Sequence, residues 1–176
     1  MTTNPKFRLQ GMMLASFIFI TDQMVKFAMI GPLALQSRRE IVILPQFSLT
    51  WAENRGVSMS FLTATSDTQR WMLVGLTSAI ALVVLIWMWR EKLRGDVLAL
   101  ALVLGGALGN IVDRVRYGYV VDYADLHFGS FRPFYIFNLA DACITFGVLI
   151  LLARAFVMRE KPIQETASSA DISEST

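Results

Sequence analysis

Cysteine and histidine are almost absent from this chain. A single cysteine, Cys143, in 176 residues excludes an internal disulfide framework and any cysteine-based zinc site. A single histidine, His127, excludes a histidine-rich metal centre, so neither a metal nor a cofactor is expected. The same scarcity removes Ser/His and Cys/His nucleophile pairs. His127 stands alone in a loop, and Cys143, two positions after Asp141, points roughly 200° away on an ideal helix. Packing is its expected role. Charge is scarce too: 17% of residues, where soluble domains carry about 25%. A formal net charge of +2, with no basic patch interleaved with aromatics, argues against a nucleic-acid partner.

What the chain has instead is long apolar runs, with 55% hydrophobic residues. Residues 71–89 read WMLVGLTSAIALVVLIWMW, with no charge and tryptophans at the ends. About 20 apolar residues span a bilayer, and terminal tryptophans suit the aromatic belts at its surfaces. Spans are predicted at about 11–30, 70–89, 97–113 and 134–154. The first follows a basic start at Lys6 and Arg8, but it is long enough to cross and no small-residue cleavage site closes it. The length makes one domain, an integral membrane, mainly α protein over residues 1–160. The tail at 161–176, rich in Ser, Thr and Glu, has nothing to bury and is expected to be disordered. Gly105, Gly106 and Gly109 would let a second helix approach the third span closely.

Between the first two spans the pattern changes. Pro32 and Pro45 break helices. Residues 41–44 and 46–54 read as short strands, and Asn54-Arg55-Gly56 supplies turn chemistry. The expectation is a small β-platform on the membrane surface, with Trp51 and Phe61 at the lipid interface. Gly118 suits the left-handed end of the third helix, and residues 119–128 look extended. Four spans put both termini and the 90–96 turn on one side, with eight Lys and Arg against seven on the other. The positive-inside rule barely separates these counts. The concentrated charge of the 90–96 turn assigns that side to the cytoplasm and the platform to the outer face.

Ionisable groups within a membrane are expensive and mark functional sites. Asp122 follows the third span and Asp141 lies in the fourth, toward the end nearer Asp122. If they meet at the membrane face, burial and like charge raise the pKa of one carboxyl, and the pair shares a proton near neutral pH. The charged member can then take a proton from water while the other donates to the oxygen of a scissile peptide, with no covalent intermediate. Asn138, spaced i, i+3 from Asp141, could orient the carboxylates. Asn110 and Arg114, at i, i+4, could hold substrate backbone or lipid carbonyls. Asp113-Arg114 reads equally well as a snorkelling interfacial pair. Asp22 and Lys26 read as a structural ion pair, and Asp125 as a solvated loop residue. Two other functions compete: a small proton-coupled transporter, against which stands the lack of an internal repeat, and a membrane assembly factor docking through Trp51 and Phe61.

The polar motifs together resemble lipoprotein signal peptidase (signal peptidase II). They are Asp22-Gln23 with Lys26, Asn54-x-Gly56, Gly109-Asn110-x-x-Asp113-Arg114, Val121-Asp122-Tyr123 and Phe137-Asn138-x-Ala140-Asp141, in family order over roughly residues 20–145. The resemblance implies four transmembrane helices with a small extracytoplasmic β-platform, cytoplasmic termini and a catalytic dyad of Asp122 and Asp141 at the outer face of a bacterial inner membrane. It implies a diacylglyceryl-modified prolipoprotein substrate, cut just before its lipidated cysteine by a monomer in contact with membrane lipid. Asn54, Gly56, Asn110, Asp113, Arg114 and Asn138 would take the substrate-contact and site-ordering places. Asp22 and Lys26 would take the structural polar ones.

Overall fold

A computed structural model describes residues 5–56, 66–129 and 131–159. Phe61 and the tail from 161 lie outside the described residues. Helix α1 (Pro5–Ile30) is followed by the short α2 (Leu35–Arg38) and strands β1 (Glu40–Leu44) and β2 (Phe47–Asn54). Helices α3 (Ser66–Arg90) and α4 (Arg94–Tyr117) come next, then β3 (Val120–Leu126) and α5 (Leu139–Arg159). Among the described residues, α1, α3, α4 and α5 are long and apolar enough to cross a bilayer. The three strands form one antiparallel sheet in the order β1–β2–β3.

Helix α4 is the axis of the bundle. Within its most apolar stretch 50% of the residues are buried, against 11% in α3 and in α5. Glycine explains how it serves several neighbours at once. A Cβ on Gly105 would stand 2.6 Å from the Ala15 carbonyl oxygen of α1, and one on Gly106 2.5 Å from the Ala140 carbonyl oxygen of α5. Two adjacent glycines thus dock two helices. Toward the other end Val97, Leu100, Ala101 and Leu104 pack with Ala15, Ala81 and Met88.

Several boundaries differ from the span limits read in the sequence. Helix α1 starts at Pro5 rather than near 11, since proline is tolerated in a first turn. Helix α4 ends at Tyr117, before Gly118 as the sequence led one to expect, so Asp113 and Arg114 lie inside it, at and just beyond the predicted span limit of 113. Its end is capped from α3, where Arg70 Nε donates to Arg114 O at 2.7 Å and Arg70 Nη2 donates to Val115 O. Gly118, with φ 84, then turns the chain away. Helix α5 begins at Leu139 rather than 134. Phe137 is captured by the sheet edge: its N–H donates to Ala124 O at 3.1 Å and its carbonyl accepts Ala124 N–H at 2.8 Å.

Trp51 is a further correction. It is only 8% exposed, packed with Met29, Leu35, Val121 and Tyr123. Strand β2 is the middle strand, so its side chains meet neighbours. The exposed apolar residues of the platform are Val42, Ile43 and Leu44 on edge strand β1. Between the pairs Leu49↔Ala124 and Ala52↔Asp122 strand β2 advances one residue more than β3. This bulge lies directly beside Asp122, and bulges re-aim neighbouring side chains.

Gly106→Val is expected to destabilise the protein by about 1–3 kcal/mol through overpacking. Gly75→Val, where a Cβ meets nothing within 4 Å, should leave the melting temperature in detergent near that of the parent.

Candidate active site

The start of α5 is a capping box. Asn138 Oδ1 accepts the Asp141 N–H at 2.8 Å, and Asp141 Oδ2 accepts the Asn138 N–H at 3.3 Å. Asp141 therefore lies in the first helical turn, where unpaired N–H groups favour negative charge. Its other oxygen accepts Asn110 Nδ2 at 2.8 Å. Asn138 also donates through Nδ2 to Asp122 Oδ1 at 2.6 Å, so one residue touches both carboxyl groups. Asn54 hydrogen-bonds Asp122 from the sheet side. Gly56, with φ 85, donates its N–H to Asn54 Oδ1 at 3.0 Å and closes the turn that carries Asn54.

Asp122 is 3% exposed. Burial, reinforced by the charge of Asp141, raises its carboxyl to about 7 against the pull of the Asn54 and Asn138 amides. One acid of the pair thus keeps its proton up to neutrality, while the other receives donors suited to a carboxylate.

Behind the pair lies a buried charge network. Lys26 Nζ stands 2.8 Å from Asp22 Oδ2 and 2.7 Å from Asp113 Oδ2, with none of the three side chains more than 2% exposed. Lys26 also donates to Asn110 Oδ1 at 3.1 Å. Each acid grips backbone next to the pair: Asp22 Oδ1 accepts the Ala140 N–H and Asp113 Oδ2 the Val121 N–H, both at 3.1 Å. Gln23 Nε2 bridges the acids, 3.3 Å from Asp22 Oδ2 and 3.0 Å from Asp113 Oδ1. Arg114 lies near enough for its charge to be felt by Asp122 and Asp141, and its buried Nε has no acceptor among the described residues.

The expected site residues lie together here, and the readings of two acids, Asp113 and Asp125, change. Asp113 pairs with Lys26 rather than with Arg114 as an interfacial couple. Asn110 donates through Nδ2 to Asp141 and accepts from Lys26 and Asn138 at Oδ1, which makes it a link between the charge network and the pair. Asp125 is fully buried rather than solvated. It pairs with Arg132 at 3.0 Å and accepts Thr50 Oγ1 at 3.4 Å, because it faces the middle of the sheet. The Tyr123 hydroxyl, which accepts the Leu139 N–H at 3.1 Å, ties β3 directly to the start of α5. Nothing in the local pattern announces that bond or the Arg70 cap.

The chain matches the family model described as Signal peptidase (SPase) II over residues 14–157. It is 55% identical to a lipoprotein signal peptidase of Sphingopyxis alaskensis over 157 residues, covering 89% of this chain and 91% of the relative. It is 53% identical to one of Rhizorhabdus wittichii, covering 87% and 89%. A bacterial membrane enzyme solved by the in meso method at 2.3 Å resolution shares the fold with TM-score 0.71 at 22% identity, over 92% of this chain and 94% of that one.

Lys26→Met should lower stability by about 3–5 kcal/mol, the usual result of removing one partner from a buried ion pair, seen as a fall in melting temperature. Asp122→Asn should act in the opposite direction. The folded chain holds a proton on Asp122 that the unfolded chain releases above its ordinary value of 3.8, so native stability falls as pH rises toward about 7. The variant should melt higher than the parent at neutral pH and above. That gain should vanish on titrating down toward the unfolded carboxyl range.

Proposed function

Because the chain belongs to the signal peptidase II family, we propose that Asp122 and Asp141 are the aspartic dyad with which it removes signal peptides from prolipoproteins. The observation that carries this assignment is Asn138, whose side chain and backbone hold the two carboxyl groups together. Asp141, held by N–H donors in the first turn of α5, is the base that takes a proton from water. Asp122, protonated up to about 7, donates to the carbonyl oxygen as the hydroxyl attacks the carbon. Collapse of the tetrahedral species breaks the C–N bond as Asp122 takes back a hydroxyl proton and the proton on Asp141 passes to the leaving amine, which restores the starting pair. Arg114, whose buried Nε has no acceptor among the described residues, is the donor that would hold a substrate carbonyl.

The substrate is a diacylglyceryl-modified chain, cut just before its lipidated cysteine. Such a substrate is already anchored in the bilayer, which favours carboxyl groups at a helix start over ones at mid-membrane. The platform and dyad face the outside, both termini the cytoplasm, and a monomer carries the whole site. Family membership favours peptide hydrolysis over the proton-coupled transport that intramembrane acids alone also suggest.

Cleavage of a lipidated prolipoprotein by detergent-purified protein, followed by gel shift, tests the assignment. Asp122→Asn and Asp141→Asn should each slow turnover at least about a hundredfold. Full cleavage by either variant would refute the dyad. The parent kcat should decline as pH rises past about 7, where Asp122 loses its proton.

A further inference from the structure

Next to Gln23 of the buried charge network, α1 and α4 line an open, mostly apolar groove of about 420 Å³. Phe19, Ile20, Met24 and Phe27 of α1 line it with Val112 of α4, and Arg116 stands at one end. Val112 and Arg116 are each two positions from Asn110 and Arg114, so they lie roughly 200° around the helix from those two side chains.

The groove has the polarity of an amphiphile. Arg116 is in the last turn of α4, one turn beyond Asp113, and is exposed. From there the wall descends along α1 from Phe27 to Phe19, about 12 Å at the helical rise, toward the middle of a 26-residue span. A guanidinium at the membrane surface above an apolar furrow complements a phosphate above an acyl chain. Arg116 is also kept free for such a ligand. Among the described residues no carboxylate pairs with it, and its one recorded partner is the Tyr117 ring, 5.6 Å from Cζ to centroid. Tyr117 stacks on Tyr119 at 6.1 Å, and Arg55 covers the Tyr119 ring at 5.6 Å. The cationic end is therefore braced by a column of aromatic rings. Arginine on an aromatic face keeps its planar fork of donors available for a phosphate.

We propose that this groove binds one anionic phospholipid of the surrounding bilayer, its phosphate on Arg116 and an acyl chain along Phe19, Met24 and Phe27. A diacylglyceryl group is the less suitable occupant because it brings no anion for Arg116. The proposal is independent of the dyad assignment, since its readout is bound lipid.

Native mass spectrometry of the intact, delipidated protein would be run with phosphatidylglycerol, phosphatidylcholine or diacylglycerol in the detergent. One phosphatidylglycerol per chain is expected to persist at activation energies that strip the other two. Arg116→Gln should cut its occupancy by about fivefold, the factor expected for one cationic side chain at an anionic lipid surface. Arg116→Lys should recover part of the loss. Val112→Trp, which fills the furrow and leaves the arginine intact, should also lose the lipid. Circular dichroism and melting curves matching the parent would show that the variants fold. If Val112→Trp fails to fold, the two Arg116 substitutions decide. Equal retention of diacylglycerol, or undiminished phosphatidylglycerol on Arg116→Gln, would overturn the proposal.

Discussion

Two carboxylates and one ammonium buried between transmembrane helices must satisfy one another, because hydrocarbon offers nothing else. Lys26 bridges Asp22 and Asp113. Gln23 and the amides of Val121 and Ala140 engage the remaining lone pairs. Those two amides belong to the residues that immediately precede Asp122 and Asp141. The requirement to satisfy buried charge therefore also fixes where Asp122 and Asp141 stand. Breaking a buried ion pair costs far more than its net worth, so the arrangement tolerates little rearrangement at its centre.

Around that centre the remaining features act as fixtures. The glycines of α4 bring α1 and α5 close enough for side chains as short as Asp and Asn to meet. The Arg70 cap and Gly118 end α4 where the chain must enter β3. The bulge in β2 and the Phe137 bridge hold β3 between two partners, so Asp122 is presented from a strand paired on both sides.

Much of this is legible in the residues. Long uncharged runs give the spans, alternation gives β2 and β3, and i, i+3 spacing puts Asn138 beside Asp141. The start of α5 is not legible, because Phe134, Tyr135, Ile136 and Phe137 are as apolar as a helix and only their pairing with β3 reveals a strand-like segment. Asp125 misleads for a related reason: its salt-bridge partner Arg132 lies beyond the turn, where no periodicity links them. Trp51 reads as an interfacial aromatic until the sheet order shows that β2 has a neighbour on each side. Local pattern carries the elements, while contacts across 44 or 90 positions, such as Arg70 with Arg114 or Gln23 with Asp113, leave no local mark.

The capping box that opens α5 has a consequence for biosynthesis. Asn138 and Asp141 follow α4 and β3 in the chain, and until they arrive Asp122 lacks the Asn138 amide and Asp22 lacks the Ala140 amide. A nascent chain holding only α1, α3 and α4 consequently lacks part of the candidate site. The site is completed only when α5 docks, after its other contributing residues have already left the ribosome.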